Sequence, residues 1–493
     1  MADASRLRAR FLIALALPFA LIAPTSFAAP AAASSNVESL SLSVQRVTLE
    51  NGLRVVMNVD HASPNIAVCV TYDVGSRNEE VGKSGFAHLF EHLMFQGSGH
   101  VAKGEHFKLI TARGGTLNGT TSSDRTNYFE MLPSSELALA LFLEGDRMKS
   151  LAVTPANVEN QRAVVEEEYR MRVSNQAYAE GFVRLRALAY EGYFPYEHDT
   201  IGSMADLDAA KFEYVAAFHD EYYGPDNAVL TIAGDFEPDE AMRLVRENFG
   251  TAARRKTVPA FSPPPLPEQK AERHAELTDT NAKTPGLLEA WAIPQSRTPE
   301  HYALELASTI LGGGESSRLY QRLVRGDAQA QSVSIGTDDQ RGPDFIMLKA
   351  VQSEHGQLPV VSHTIDAEIA KLAAQGPTPA EVDKAKSQVI SQFVFGLESN
   401  LHRATELGQF EVFWGDARLL SREVENYKAV TPAQIKDAIA KYLVKNRRST
   451  VTVMPPPKAA PGAAAKEAPG AAKPAAPAKT PGAAAAAHQE KAK

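Results

Sequence analysis

The chain has 493 residues, 44% of them hydrophobic and 22% charged. That is enough apolar side chain for two or more domains, and it excludes a wholly disordered chain, a collagen-like repeat and a small disulfide scaffold. With a formal net charge of -8 there is no basic surface to neutralise phosphates, so no nucleic acid is expected as a partner; the single cysteine, Cys69, lies in an alternating apolar stretch and reads as a buried thiol rather than a nucleophile.

Taken in chain order, Arg6, Arg8 and Arg10 precede an apolar run from Phe11 to Ile22, and Ser26-Phe27-Ala28 supplies small residues where a signal peptidase would cut. Residues 1–28 are therefore expected to be a signal peptide, which places the mature protein in the periplasm or outside the cell, with no stable membrane span after its removal. Residues 40–255 then alternate patterns of period two and period 3.6. Strands are expected at 53–59, 66–74, 116–121 and 126–132, with helices starting near Gly85, Ser135, Ala156 and Pro238. This is an α+β domain with helices packed against its strands. A proline-rich linker follows at 256–275, then a second α+β domain at 276–455 and an Ala/Pro/Lys-rich tail at 456–493 with too little apolar side chain to fold. The two domains read as copies: Thr154-Pro155-Ala156 opens a helix with a capping threonine and a proline at its first position, and Thr378-Pro379-Ala380 repeats it 224 residues later.

The chemistry is concentrated in His88-Leu89-Phe90-Glu91-His92. On a helix, His88 and His92 share one face a turn apart, so both imidazoles reach one metal ion, and Glu91 stands beside them to take a proton from water. The flanking Leu89, Phe90, Leu93 and Phe95 are apolar, and a buried cluster of two histidines and a carboxylate needs a partner; a metal is the simplest one. Zinc sites of this kind take a third protein ligand, often a carboxylate. The acidic helix after Thr154 offers Glu168 near its apolar face, with Glu166 and Glu167 expected to face solvent. Glu159 on the same helix reads first as part of a solvated face, with a role as acceptor supporting the histidines as the other reading.

The HLFEH segment is the inverted H-x-x-E-H signature. Together with VGSRNE at 74–79, GGTLN at 114–118, DRTNY at 124–128, LEGDRM at 143–148 and LGGGESSRLY at 311–320, it makes the chain resemble the pitrilysin/insulinase family of zinc peptidases, the inverzincins, over nearly all of 45–455. The resemblance implies two homologous α+β domains forming half of a clamshell, closed by a second half around a peptide substrate. It implies Zn2+ held by His88, His92 and Glu168, the last 76 residues past His92 as in the family, and Glu91 as general base. Asn118 would bind substrate backbone by strand addition, with a purely local turn role as the alternative. Family members carry an arginine and, a few residues on, a tyrosine that grip substrate from the second domain; here Arg325 is present but Gln331 stands at the expected tyrosine. Gln392 occupies the repeat position of Glu168, so only the first domain can hold zinc. The expected function is a zinc-dependent endopeptidase whose chamber is completed by a homologous partner subunit or by a second copy; the alternative is a non-catalytic assembly subunit of the same fold.

Overall fold

The structure, a computed structural model, describes residues 40–255 and 258–457. The expected signal peptide and nearly all of the expected tail lie outside the described residues.

Eleven strands form two sheets among the described residues. The first half supplies β1 (Gln45–Thr48), β2 (Arg54–Val59), β3 (Asn65–Tyr72), β4 (Thr116–Thr121), β5 (Thr126–Pro133) and β6 (Ala228–Gly234). The second supplies β7 (Arg273–Thr278), β8 (Gly286–Ile293), β9 (Ala330–Thr337), β10 (Asp344–Gln352) and β11 (Arg448–Met454). Strand β7 starts inside the span expected to be linker. The sheet orders are β1-β2-β6-β3-β5-β4 and β7-β11-β8-β10-β9. Superposing β2 on β7, β6 on β11, β3 on β8, β5 on β10 and β4 on β9 makes them the same sheet, down to the one parallel pair in each, β2 with β6 and β7 with β11. Only the short edge strand β1 has no counterpart.

One feature of the layering was not legible in the repeat. The expectation was that each half packs its own helices on its own strands, but each sheet has one face covered by a helix of the other half. The helix Asn400–Trp414 lies across β3 and β6, and the helix Ala179–Ala189 lies across β11 and β8. Residues alternate sides along a strand, and β3 shows both layers. Ile66, Val68 and Val70 enter the first half's own core, whereas the small Ala67 and Cys69 meet Ala404 of the exchanged helix. Burial pushes the Cys69 thiol up to about 12, which fits an inert core sulfur. Each exchanged helix carries a glycine where it approaches its sheet: a Cβ on Gly408 would lie 2.7 Å from Thr71 Oγ1, and one on Gly181 would lie 2.6 Å from Val453 Cγ2. The β9–β10 hairpin adds a polar clamp between the halves, with Arg341 on Asp73 at 2.9 Å and its backbone N–H donating to Asp124.

Candidate metal centre

The helix Phe86–Leu93 follows β3 and packs against the helix Pro155–Tyr169 and the strands β4 and β5. Leu89, Phe90 and Leu93 anchor it in the first core. Its N-terminus is secured by a residue that the motif reading passed over. The buried Glu79 carboxylate accepts from the backbone N–H of Gly85 at 2.9 Å and of Ala87 at 2.8 Å, satisfying donors that a helix start leaves free. His198 Nε2 lies 2.8 Å from the same carboxylate. The available signal was an acidic residue in the connection just before a glycine-started helix.

With the helix fixed this way, His88 and His92 turn their Nε2 atoms toward Glu168, at 3.8 Å and 3.1 Å from its two oxygens. Two ligands each about 2.1 Å from a tetrahedral zinc stand roughly 3.4 Å apart. The two distances bracket that value, and all three ligand atoms lie within 4.8 Å of one another, a donor set suited to a zinc ion. Burial and the neighbouring His92 hold His88 below its ordinary pKa, keeping the ring neutral and its lone pair available at neutral pH. The hydrogen-bonding contact with His92 lowers Glu168, against the effect of its burial, and favours the carboxylate. Arg172 reaches Glu168 Oε1 at 2.8 Å from one turn further along.

Glu91 points past this cluster to β4, where Thr121 Oγ1 donates to its Oε2 at 2.6 Å. Burial raises its pKa, as suits a base that must exchange a proton near neutrality. Thr121 was not singled out in the sequence; a threonine in a strand carries no signal until the fold brings it opposite the helix. Histidines, Glu91 and Glu168 all line one cavity of about 1180 Å³, as do Asn118, Gly119 and Thr120 of β4. Among the described residues that strand pairs only with β5, so its other edge is free. Asn118 caps its own neighbour, Oδ1 accepting from Gly119 N–H at 2.9 Å.

Three expectations need correction. Glu159 does not support a histidine: its largely exposed carboxylate pairs with Arg162 one turn on, and the buried His88 Nδ1 has no hydrogen-bond partner among the described residues. Glu166 does not face solvent; its side chain is 17% exposed, close to the 15% of Glu168, and lies against Asp208. The helix is flanked by another helix on one side and by a cavity on the other, a distinction that a helical wheel cannot draw. Arg325 lies exposed on the short helix Tyr320–Gly326, and neither it nor Gln331 is among the residues lining the cavity. Gln331 is engaged within its own half, donating to Gln352 O at 3.1 Å.

Two other clusters among the described residues bring three potential ligands together, His106–Glu130–Glu144 and His301–Glu305–Asp339. In the first, the Arg147 guanidinium already sits on Glu144. In the second, His301 faces Asp344 at 2.8 Å and Glu305 accepts from the Tyr427 hydroxyl at 2.6 Å. Neither lines the large cavity.

Comparison with known proteins identifies the family. Residues 54–192 match the family described as Insulinase (Peptidase family M16), and residues 210–389 match the one described as Peptidase M16 inactive domain. The zinc protease PqqE of Helicobacter pylori is 32% identical over 376 residues, covering 75% of this chain and 83% of that protein. An uncharacterized zinc protease of Mycobacterium leprae is 32% identical, covering 84% and 92%, and the mitochondrial-processing peptidase subunit beta of Blastocladiella emersonii is 26% identical, covering 86% and 92%. Among solved structures, a protease from Helicobacter pylori superposes with a TM-score of 0.80 at 28% identity, covering 84% of this chain and all of that one. The periplasmic protease PqqL of Escherichia coli superposes at 0.69 and 17% identity, covering 84% of this chain but 48% of its own length. On the two domain matches and the zinc-protease relatives together, the chain belongs to the insulinase family of peptidases, family M16.

Proposed function

We propose that this chain is the catalytic half of an exported zinc-dependent endopeptidase acting on peptides or extended segments. The observation that carries the reading is the convergence of His88, His92 and Glu168 beside Glu91 in a cavity bordered by the free edge of β4. His88, His92 and Glu168 would hold the ion. Zinc bound there supplies Lewis acidity, polarising a scissile carbonyl and acidifying water. Glu91, held by Thr121, takes the proton of the attacking water and returns it to the leaving nitrogen. The edge of β4 aligns the substrate backbone by strand addition, with Asn118 at its middle. The intact donor set speaks against a non-catalytic assembly subunit.

Glu91→Gln keeps all three zinc ligands and removes only the proton acceptor. It should retain zinc and fold while peptide hydrolysis falls by about 10²–10⁴-fold; near-normal turnover would remove Glu91 as the base. The half-length match to the PqqL chain and the likeness to a processing-peptidase subunit support a chamber closed by a homologous second chain. That partner would bring the arginine and tyrosine that Arg325 and Gln331 do not supply together. Weak activity of the purified chain, with a large gain on adding such a partner, is the expected result; full activity from the chain alone would leave no place for it. Export rests on the basic and apolar leader, and a native N-terminus near Ala29 by mass spectrometry is the outcome it requires.

A further inference from the structure

The cavity that holds the metal centre is built almost wholly from the first half. The second half contributes one lining residue, Lys349 of β10. Its neighbours on the same face of that strand, Phe345 and Met347, lie in the apolar layer beneath the helix Ala179–Ala189, with Leu185 and Leu188 above them. Strand alternation puts Lys349 in the same row, where packing alone would favour another apolar side chain.

The ammonium is held in place by rings. Nζ lies 5.0 Å from the centre of the Tyr178 ring and 5.3 Å from that of Phe182, within cation–π range. Tyr178 is itself fixed: its hydroxyl donates to Thr284 O at 2.8 Å, its backbone N–H donates to Asp279 at 2.6 Å, and its φ of 69° is an uncommon conformation for a residue with a side chain. Two cationic side chains line the cavity, and they differ in what they face. Arg172 is paired with Glu168 at 2.8 Å. Lys349 has no carboxylate within ion-pair distance among the described residues, and burial lowers its pKa with no opposing charge to raise it. A half-buried ammonium that rings orient and no anion neutralises is poised to receive one. Apart from Arg172, already paired, the other charged side chains lining the cavity are the carboxylates Glu91, Glu167, Glu168 and Asp199, so Lys349 is the cation there left to meet an acidic substrate group. Val164, Met171, Phe182 and Val183 add apolar wall to the same cavity, a surface suited to the side chains of an extended peptide.

We propose that Lys349 sets specificity: its ammonium receives a carboxylate of the peptide lying in the cavity, and so fixes which bond is presented to Glu91. The carboxylate is either an Asp or Glu side chain or the peptide's C-terminus; the chemistry at Lys349 is the same. The proposal rests on the peptidase reading, and its test separates the two.

Fluorescein-labelled peptides of one sequence, with Asp or Asn placed at each position in turn and the C-terminus free or amidated, are titrated into the zinc-loaded Glu91→Gln chain, which binds without turnover. The expected result is one position, or the free C-terminus, at which the acid binds about tenfold more tightly than its amide. Lys349→Met, which keeps the stem packed on the two rings, should bring that ratio to near one while neutral peptides bind as before, and Lys349→Arg should restore most of it. A ratio unchanged by Lys349→Met overturns the proposal, and so does a loss that Lys349→Arg fails to recover. The same peptides given to the Glu91-intact chain report on the peptidase reading separately. A Lys349-dependent preference without any cleavage sinks the peptidase reading alone, cleavage without the preference sinks the proposal alone, and absence of binding by every peptide sinks both.

Discussion

The two halves of the molecule share one sheet and one order of helices, and they differ in what the helix after the central strand does with its histidine. In the first half the helix Phe86–Leu93 follows the connection 73–85, which contains Glu79, and it presents His88 and His92 to a cavity with Glu168 opposite. In the second the helix Pro299–Gly312 starts directly under a Thr298 cap, and its His301 is spent on the buried Asp344 at 2.8 Å. A histidine whose acceptor is a buried carboxylate holds a hairpin to a helix; two histidines whose remaining neighbour is a carboxylate across open space make a ligand set. On the proposed reading the scaffold does not confer metal chemistry; three side chains and the helix anchor would.

The largest effects should come from making one half resemble the other. Glu168→Gln copies Gln392 into the first half and leaves two histidines, so zinc affinity should fall by at least about 100-fold; zinc content after dialysis measures it, and an unchanged content would mean another group completes the site. The reverse change, Gln392→Glu, should add no second zinc, because Gln392 lies exposed on its helix and the second half has no segment like HLFEH. The anchor comes next. Glu79→Ala strips two backbone donors and His198 of their buried acceptor and should destabilise the fold by about 2–3 kcal/mol, seen in chemical denaturation, with weaker zinc binding because the helix start is loosened.

The exchanged helices allow a subtler comparison. Gly181→Val and Gly408→Val each push a side chain into the opposite half's sheet, at contacts of 2.6 Å and 2.7 Å for the first carbon alone. Each should destabilise by about 1–3 kcal/mol. Because each helix belongs to one half and packs on the other, both substitutions should lower a single unfolding transition, followed by calorimetry. Two separate transitions, only one of which moves, would mean that the halves unfold independently despite the exchange.

Much of this was legible in the sequence because it is local. The period-two and period-3.6 patterns located β2 to β5 and four helices of the first half to within a few residues, and the threonine-proline starts at 154 and 378 marked the repeat. The spacing of His88 and His92 is a property of any helix, so the pair could be read without a fold. Glu168 was within reach of the apolar pattern, and the resemblance pointed to the same residue. What could not be read depends on surfaces that meet only after folding. Thr121 matters because β4 passes the metal helix, Lys349 because β10 emerges beside a cavity of the other half, and Glu166 is covered because a short helix around Asp208 happens to lie there. The helix exchange left a trace, a glycine in each exchanged helix, but glycine in a helix has many causes and the trace has meaning only beside Thr71 and Val453.

The smallest effect separates the two homologous helices by pH. Both begin with a threonine cap and a proline, Thr154 accepting from Asn157 N–H and Thr378 from Glu381 N–H, but only the second closes a capping box, its Glu381 carboxylate accepting in return from the Thr378 N–H at 2.8 Å. Arg318 pairs with the same carboxylate at 2.7 Å, and chiefly through that hydrogen bond Glu381 is held down to about 2. A carboxylate whose folded value lies below its unfolded value of roughly 4.3 adds stability in full above the unfolded value and loses it as pH falls through the folded one. The window thus runs from about pH 5 down to about pH 2. The group is partly exposed, so solvent screening limits the contribution to about 0.5–1 kcal/mol. Glu381→Gln keeps the geometry of the box without the charge; Asn157, at the matching position of the first half, cannot titrate and serves as the internal reference. With zinc removed by chelation at every pH, so that loss of the metal adds nothing, the variant should be less stable than the parent at pH 6 by that amount and should match it at pH 2. A gap that stays constant across the range would place the role of Glu381 in shape alone, and the two helix starts would then be equivalent.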